Sequence, residues 1–195
     1  LRDCDFNNLE RLKNREYNID MNYEINGKEI MKVSCEISGD EIEGTAEFTE
    51  YEVGTQKIVK LMLHLKGSPE KLRPGLHAVH IHEKGTCEGG FKCAGGHFDP
   101  GPAGNSDPDV NHPHHAGDLP NILINEDGSG SLEALTTRVT LSSGPLSILE
   151  APEGTALMIH ANEDPYKGGE HGSGVSGGPR LACGIIKASG GHMHH

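Results

Sequence analysis

From Glu29 onward, apolar and polar residues alternate with a period of two, the pattern of strands that put one face on a core. The stretches "EIMKVSCEIS", "EIEGTAEFTE" and "KIVKLMLHLK" each run about ten residues in this register. Gly/Asp and Gly/Thr turn signals separate them, so three consecutive antiparallel strands are predicted. "GLHAVHIHE" supplies a fourth strand, "LPNILIN" a fifth, "GSLEALTTRVTL" a sixth, "GTALMIHA" a seventh and "RLACGIIKA" an eighth. Eight short strands predict an all-β domain, an eight-stranded Greek-key barrel or immunoglobulin-like sandwich, over residues 29–188. Residues 1–28 are polar and irregular, an extension with at most a short helix around Leu9 to Arg15, and residues 189–195 form a flexible His-rich tail.

Two connections exceed ordinary turns, the first from Lys84 to Asp118 and the second from Ala161 to Pro179. Loops of such length inside a compact domain usually carry function. The first holds His97, His112, His114 and His115; the second is rich in glycine and charge.

Composition supports the all-β reading: aromatic residues are 4%, Trp is absent and Gly numbers 27, so the core rests on Val, Ile, Leu and Ala. A formal charge of -12 argues against nucleic acid or an anionic membrane surface as a partner. No run of 18 apolar residues is present, which argues against a membrane span. The chain opens on Leu, so an initiator and any signal segment are expected to have been removed or omitted. Five cysteines, at 4, 35, 87, 93 and 183, are too scattered for a disulfide scaffold or a paired-cysteine zinc knuckle. Cys35 shares parity with Val33 and Ile37 and reads as a buried core thiol.

Seven of the 13 histidines fall between positions 77 and 115. In "HAVHIHE", His80 and His82 project to one face of a strand while Val79 and Ile81 face the core. Taken alone, the pair reads equally as exposed sheet residues or as two nitrogens aimed at a metal. His77 has the opposite parity and reads as a hydrogen-bonded structural histidine at the strand start. With His160 ending "GTALMIHA" and Asp118 in reach, imidazole and carboxylate donors suit copper and zinc.

"GLHAVHIHEKGTC", "CAGGHFDP", "HHAGDLPN", "LMIHANEDP" and "GPRLACGII", in that order, resemble the copper/zinc superoxide dismutase family, particularly its bacterial secreted branch. The resemblance spans about Lys32 to Ala188 and implies a Greek-key barrel, a copper that cycles between two oxidation states and a neighbouring zinc. It implies dismutation of the superoxide anion to oxygen and hydrogen peroxide. By motif, His80, His82, His97 and His160 would be the copper ligands, and His97 would bridge to zinc and take part in catalysis. His115 and Asp118 match the family's zinc element. The third zinc histidine departs from the family pattern: His112 is expected, because His112, His115 and Asp118 recur at intervals of three, with His114 the alternative.

Asp164 would accept hydrogen bonds from one copper and one zinc histidine, with Glu163 its competitor. Lys167, Glu170 and His171 are either solvated loop charges or contributors to the approach field. Arg180 resembles the arginine that docks the anion beside copper. Cys183 would pair with Cys87, or alternatively with Cys93; in the first case Cys93 could bond Cys4. A disulfide and the bacterial resemblance imply a secreted or periplasmic, extracytoplasmic location. A homodimer and a monomer both remain open. The tail "GGHMHH" reads as an exposed segment without a role, or as a weak copper collector. The rival function is a copper-delivery or metal-binding protein on a dismutase-like domain, but the full ligand set, Arg180 and the lack of a paired-cysteine module favour the enzyme.

Overall fold

A computed structural model describes residues 24–101 and 104–188. The expected short helix near Leu9, Cys4 and the His-rich tail lie outside the described residues. Among the described residues nine strands form one sheet: β1 (Lys28–Gly39), β2 (Ile42–Val53), β3 (Gln56–Gly67), β4 (Gly75–His77), β5 (Val79–His82), β6 (Ile122–Ile124), β7 (Ser129–Thr136), β8 (Thr155–His160) and β9 (Arg180–Ile186). Their spatial order is β4-β6-β7-β3-β2-β1-β9-β8-β5. The two end strands, β4 and β5, are consecutive in the chain, so the antiparallel sheet curls into a nearly closed barrel. No α-helix occurs among the described residues, and none is long and apolar enough to cross a membrane.

The alternating pattern sets the barrel wall. Val33, Cys35 and Ile37 of β1, Ala46 and Phe48 of β2, and Val59, Leu61, Leu63 and Leu65 of β3 all point inward and belong to one core cluster. Each fully buried side chain of this kind stabilises the fold by roughly 1.5–3 kcal/mol. Val53 pairs with Gln56 across a two-residue turn in which Gly54 has φ 63, a left-handed conformation that costs glycine no Cβ clash.

The fourth expected strand is two strands, which makes nine where eight were expected. Leu76 of β4 pairs with Leu123 of β6, whereas His80 of β5 pairs with Met158 of β8. Between them Ala78 donates to the Asn162 carbonyl (2.9 Å), and its own carbonyl accepts from His160 (3.0 Å). The chain changes partner there because closing the barrel requires it to leave one edge and join the other. The sixth expected strand also ends early, at Thr136. Beyond it, the buried carboxylate of Glu50 accepts from the backbone of Leu141 and Ser142, so this segment bonds to a side chain instead of a ladder.

Candidate metal centre

Strands β5 and β8 are buried on both faces. Val79, Ile81, Leu157 and Ile159 face the barrel core. The other parity carries His80, His82, Met158 and His160, and this outer face is covered by the two long connections. A β-bulge between Ile159 and His160 shifts the register so that His160 lies opposite Arg180.

The first long connection returns twice to the free edge of β5. Phe98 donates to the Ile81 carbonyl (2.8 Å), Ile81 donates to Gly117 (2.8 Å), and Glu83 donates to Gly96 (3.0 Å). Gly117 is needed here: a Cβ at that position would lie 2.3 Å from the Ile81 oxygen. These contacts set His97 opposite His82 and Asp118 opposite His80.

His80, His82, His97 and His160 present one ligand atom each within 4.8 Å of one another, all buried. Carbonyl groups fix the tautomers. His82 donates through Nδ1 to Gly95 (3.0 Å), and His160 donates through Nδ1 to Gly178 (3.1 Å). Their lone-pair Nε2 atoms then face each other at 3.4 Å, a repulsive pairing that a cation would relieve. Burial is the first cause that lowers the pKa values of His80, His82 and His160, and it holds His97 at about 3, so these rings are neutral donors at neutral pH.

A second group, His80, His97, His112 and Asp118, meets the same distance criterion. His97 joins the two, with Nδ1 donating to Asp118 Oδ1 at 2.7 Å. Among the described residues, three buried ring nitrogens have no hydrogen-bond partner: His80 Nδ1, His97 Nε2 and His112 Nδ1. His112 Nδ1 stands 3.3 Å from Asp118 Oδ2 without hydrogen-bonding geometry. Orphaned nitrogens of this sort are costly in a protein interior and fit bound metal ions. His115 packs beside this group, its ring 5.0 Å from that of His97, with Nδ1 3.0 Å from Asp118 Oδ2 and Nε2 donating to Val110 (3.1 Å).

Asp164 spans the two groups, accepting from His80 Nε2 (3.0 Å) and from His112 Nε2 (2.7 and 2.8 Å). Burial opposes its ionisation, yet the hydrogen bonds from His112 and His80 win and hold its pKa well below the usual carboxylate range. Asp118 is likewise held low by His112, His115 and His97 against the effect of burial. His112 experiences the converse: burial opposes its charge, but Asp118 and Asp164 raise its pKa to about 9. Without metal it is an imidazolium between two carboxylates.

Arg180 donates from Nη1 to the Phe91 carbonyl and from Nη2 to Gly95, both at 2.5 Å. Gly95 thus holds Arg180 and His82 through one oxygen. Cys87, in the same connection, is disulfide-bonded to Cys183 of β9, with Cα atoms 5.8 Å apart. Cys35 and Cys93 are free thiols, the former buried as expected and the latter exposed.

Of the residues singled out in the sequence, His114 and Glu163 are exposed while His112 and Asp164 are buried in the cluster. Lys167, Glu170 and His171 lie exposed on the second connection. His77 stands outside the cluster, its ring nitrogens 2.7 Å from the carbonyls of His160 and Arg73. Sequence reasoning missed Asn121, whose amide exchanges two hydrogen bonds with the backbone of Asp164 (both 2.9 Å), and the buried Asp109. It also missed the carbonyls of Phe91, Gly95 and Gly178, because backbone groups leave no residue-type signal.

Residues 42–186 match the family model described as copper/zinc superoxide dismutase. A Cu-Zn superoxide dismutase of Deinococcus radiodurans is 37% identical over 158 residues, covering 75% of this chain and 78% of its own. One from Caulobacter vibrioides is 40% identical over 135 residues, covering 66% of this chain and 71% of its own. Among solved structures, the crystal structure of the clock protein EA4 is similar with a TM-score of 0.61 and 27% identity, covering 84% of this chain and 98% of that one.

Proposed function

This chain belongs to the copper/zinc superoxide dismutase family, and on that premise we propose which of its residues hold the two metals and handle the substrate. It is an oxidoreductase that converts two superoxide anions and two protons to oxygen and hydrogen peroxide, with copper and zinc as its metals. The observation that carries the assignment is the set of orphaned buried nitrogens on either side of His97.

His80 through Nδ1, and His82, His97 and His160 through Nε2, are assigned to copper. His97 through Nδ1, His112 through Nδ1, His115 and Asp118 are assigned to zinc. When bound, copper supplies the one-electron chemistry that no side chain here can provide. His97 would be the catalytic proton carrier: its Nε2 would take a proton and pass it to the reduced substrate while Nδ1 is held on the zinc side. Arg180 supplies a fixed charge and donors for the incoming anion, its guanidinium already aimed by the Phe91 and Gly95 carbonyls. Asp164 keeps His80 and His112 in the tautomers that leave their Nδ1 atoms free.

The catalytic domain is assigned to residues 29–188. The Cys87–Cys183 disulfide and the bacterial relatives support an extracytoplasmic dismutase. The test is metal content and superoxide-dismutating activity on wild type and His80→Ala after loading with copper and zinc. About one of each metal per chain, with activity lost in the variant, is the expected result; metal retained without activity in wild type would sink the assignment.

A further inference from the structure

Asp109 belongs to the first long connection, three residues before His112, and has no role in the assignments above. Its side chain is 4% exposed. Burying a carboxylate is costly unless hydrogen bonds satisfy it, and here every bond reaches into the other long connection. Oδ2 accepts from the Gly174 amide (2.8 Å), and Oδ1 accepts from the Ser176 amide (3.3 Å) and hydroxyl (3.2 Å). The Asp109 carbonyl also accepts from Gly169 (2.8 Å).

The segment that Asp109 grips is rich in glycine, and beyond the grip its backbone is bonded by Asn162 donating to the Gly177 carbonyl (3.1 Å) and Ala161 donating to that of Pro179 (2.7 Å). Gly174, Gly177 and Gly178 all adopt positive φ (70°, 108° and 64°), where glycine is at ease but also most free to leave. What the segment does is specific. Gly177 lies against His160 so closely that a Cβ there would be 2.8 Å from the His160 Cβ and 2.6 Å from that of Ala78. The next carbonyl, Gly178, accepts the His160 Nδ1 proton. One residue, Gly177, therefore separates the Ser176 grip from the oxygen that sets the His160 tautomer. On the exposed side His171 Nδ1 meets Asp107, whose other oxygen accepts from the Asp109 amide (3.0 Å), so the same two connections are joined twice.

We propose that Asp109 is a positioning residue for His160: its carboxylate holds residues 174–176 in place, and through them the Gly178 carbonyl that keeps His160 Nε2 free for copper. This rests on the assignment of His160 to copper. It makes the link between the two connections reciprocal. Asp164 reaches from the second connection to His80 and His112, and Asp109 reaches from the first toward His160.

The test uses 15N-labelled, metal-free protein, comparing wild type, Asp109→Ala, Asp109→Asn and Ser173→Ala as an exposed control in the same segment. Amide exchange at Gly174 and Ser176 reads the grip, and long-range ring correlations read the His160 tautomer. In Asp109→Ala both amides should exchange about tenfold faster or more, and His160 should become a mixture of tautomers. Copper competition against a chelator should weaken by roughly 10–100-fold with zinc content unchanged, the range for loss of groups that orient metal ligands. Asp109→Asn keeps one acceptor oxygen and should fall between; it carries the test if Asp109→Ala does not fold. Faster exchange with an unaltered His160 ring would overturn the proposal, as would loss of zinc or altered His112 signals ahead of any change at His160. Copper retention by wild type, measured in parallel, decides the metal assignment separately from the Asp109 link.

Discussion

Removing the disulfide by Cys87→Ala/Cys183→Ala should lower stability through the unfolded chain and activity through the folded one. The bond joins residues 96 apart. Closing a loop of that length restricts the unfolded ensemble by about 4.7 kcal/mol in the chain-entropy model. For a domain of this size each kcal/mol moves Tm by about 2–4 °C, so a fall of roughly 10–20 °C is expected. Alanine is preferred to serine because Cys183 is 1% exposed, and an unpaired buried hydroxyl would add a further cost of about 1–3 kcal/mol. Thermal unfolding by circular dichroism should be run on metal-free protein, since metals bind the native state and would mask the difference. The functional effect follows from place. Phe91 and Gly95, whose carbonyls aim Arg180, lie downstream of Cys87 in the loop that the bond ties to β9. A Tm fall below about 3 °C, far short of the loop-entropy value, together with unchanged kcat/KM, would refute both halves of this reasoning.

Asp164→Asn leaves one oxygen for two histidines and turns an amide toward the other, so affinity for both metals should fall about 10–100-fold in chelator competition. Metal-free protein should be most stable near pH 6.5. As pH rises through about 9 the stabilising charge of His112 is lost. As pH falls below 6.5 toward 3, the unfolded chain takes up protons that His97 refuses when folded, and at lower pH Asp118 and Asp164 add to the loss; denaturant melts across pH 4–10 would show the two-sided decline. Zinc binding at pH 7 should release at least one proton, from His112, detectable as a buffer-dependent binding enthalpy. Alkylation of the native protein at pH 8 should mark Cys93 and spare Cys35, whose thiol is buried and pushed up to about 12; peptide mapping reads the ratio. For the loaded enzyme, kcat/KM should fall as ionic strength rises, and the slope should flatten in Arg180→Ala; a rise with salt would mean that the net charge of -12, not the local field, governs approach.

The barrel was legible where period-two patterning met clear turns. β1, β2 and β3 fall where the alternation puts them because one face of each strand has to be buried. The split at Ala78 was not legible, since "GLHAVHIHE" keeps its apolar rhythm through a corner that exists only to close the sheet. In the candidate site, motif order pointed to His80, His82, His97, His160 and Asp164, which the structure brings together. The spacing of three picked His112 over His114, and burial separates them the same way. Asn121 and Asp109 escaped notice because their work is on the backbone of a segment remote in sequence, which no residue-type pattern encodes. The same applies to Gly95, whose single carbonyl serves both His82 and Arg180.

An acidic protein acting on an anion poses an electrostatic question that the site geometry answers. The surface carries the excess of carboxylates, where solvent and salt screen them within about 8 Å at physiological ionic strength. Among the described residues the cluster holds two carboxylates, Asp118 and Asp164, and histidines bond both: His97 and His115 on one, with His112 Nδ1 3.3 Å away, and His80 and His112 on the other. Their charge is therefore committed to orienting the rings and balancing cations and is not directed at the substrate. Two divalent ions held as proposed would outweigh the two carboxylates, and the partly buried Arg180 would add a further positive charge. Leu157, Ile159 and Ile81 form an apolar wall on the barrel side of the cluster, where low dielectric strengthens local fields. A net negative molecule can thus present a locally positive entrance, and the same carboxylates that make the metal-free cluster receptive to cations do not repel the anion once those cations are in place.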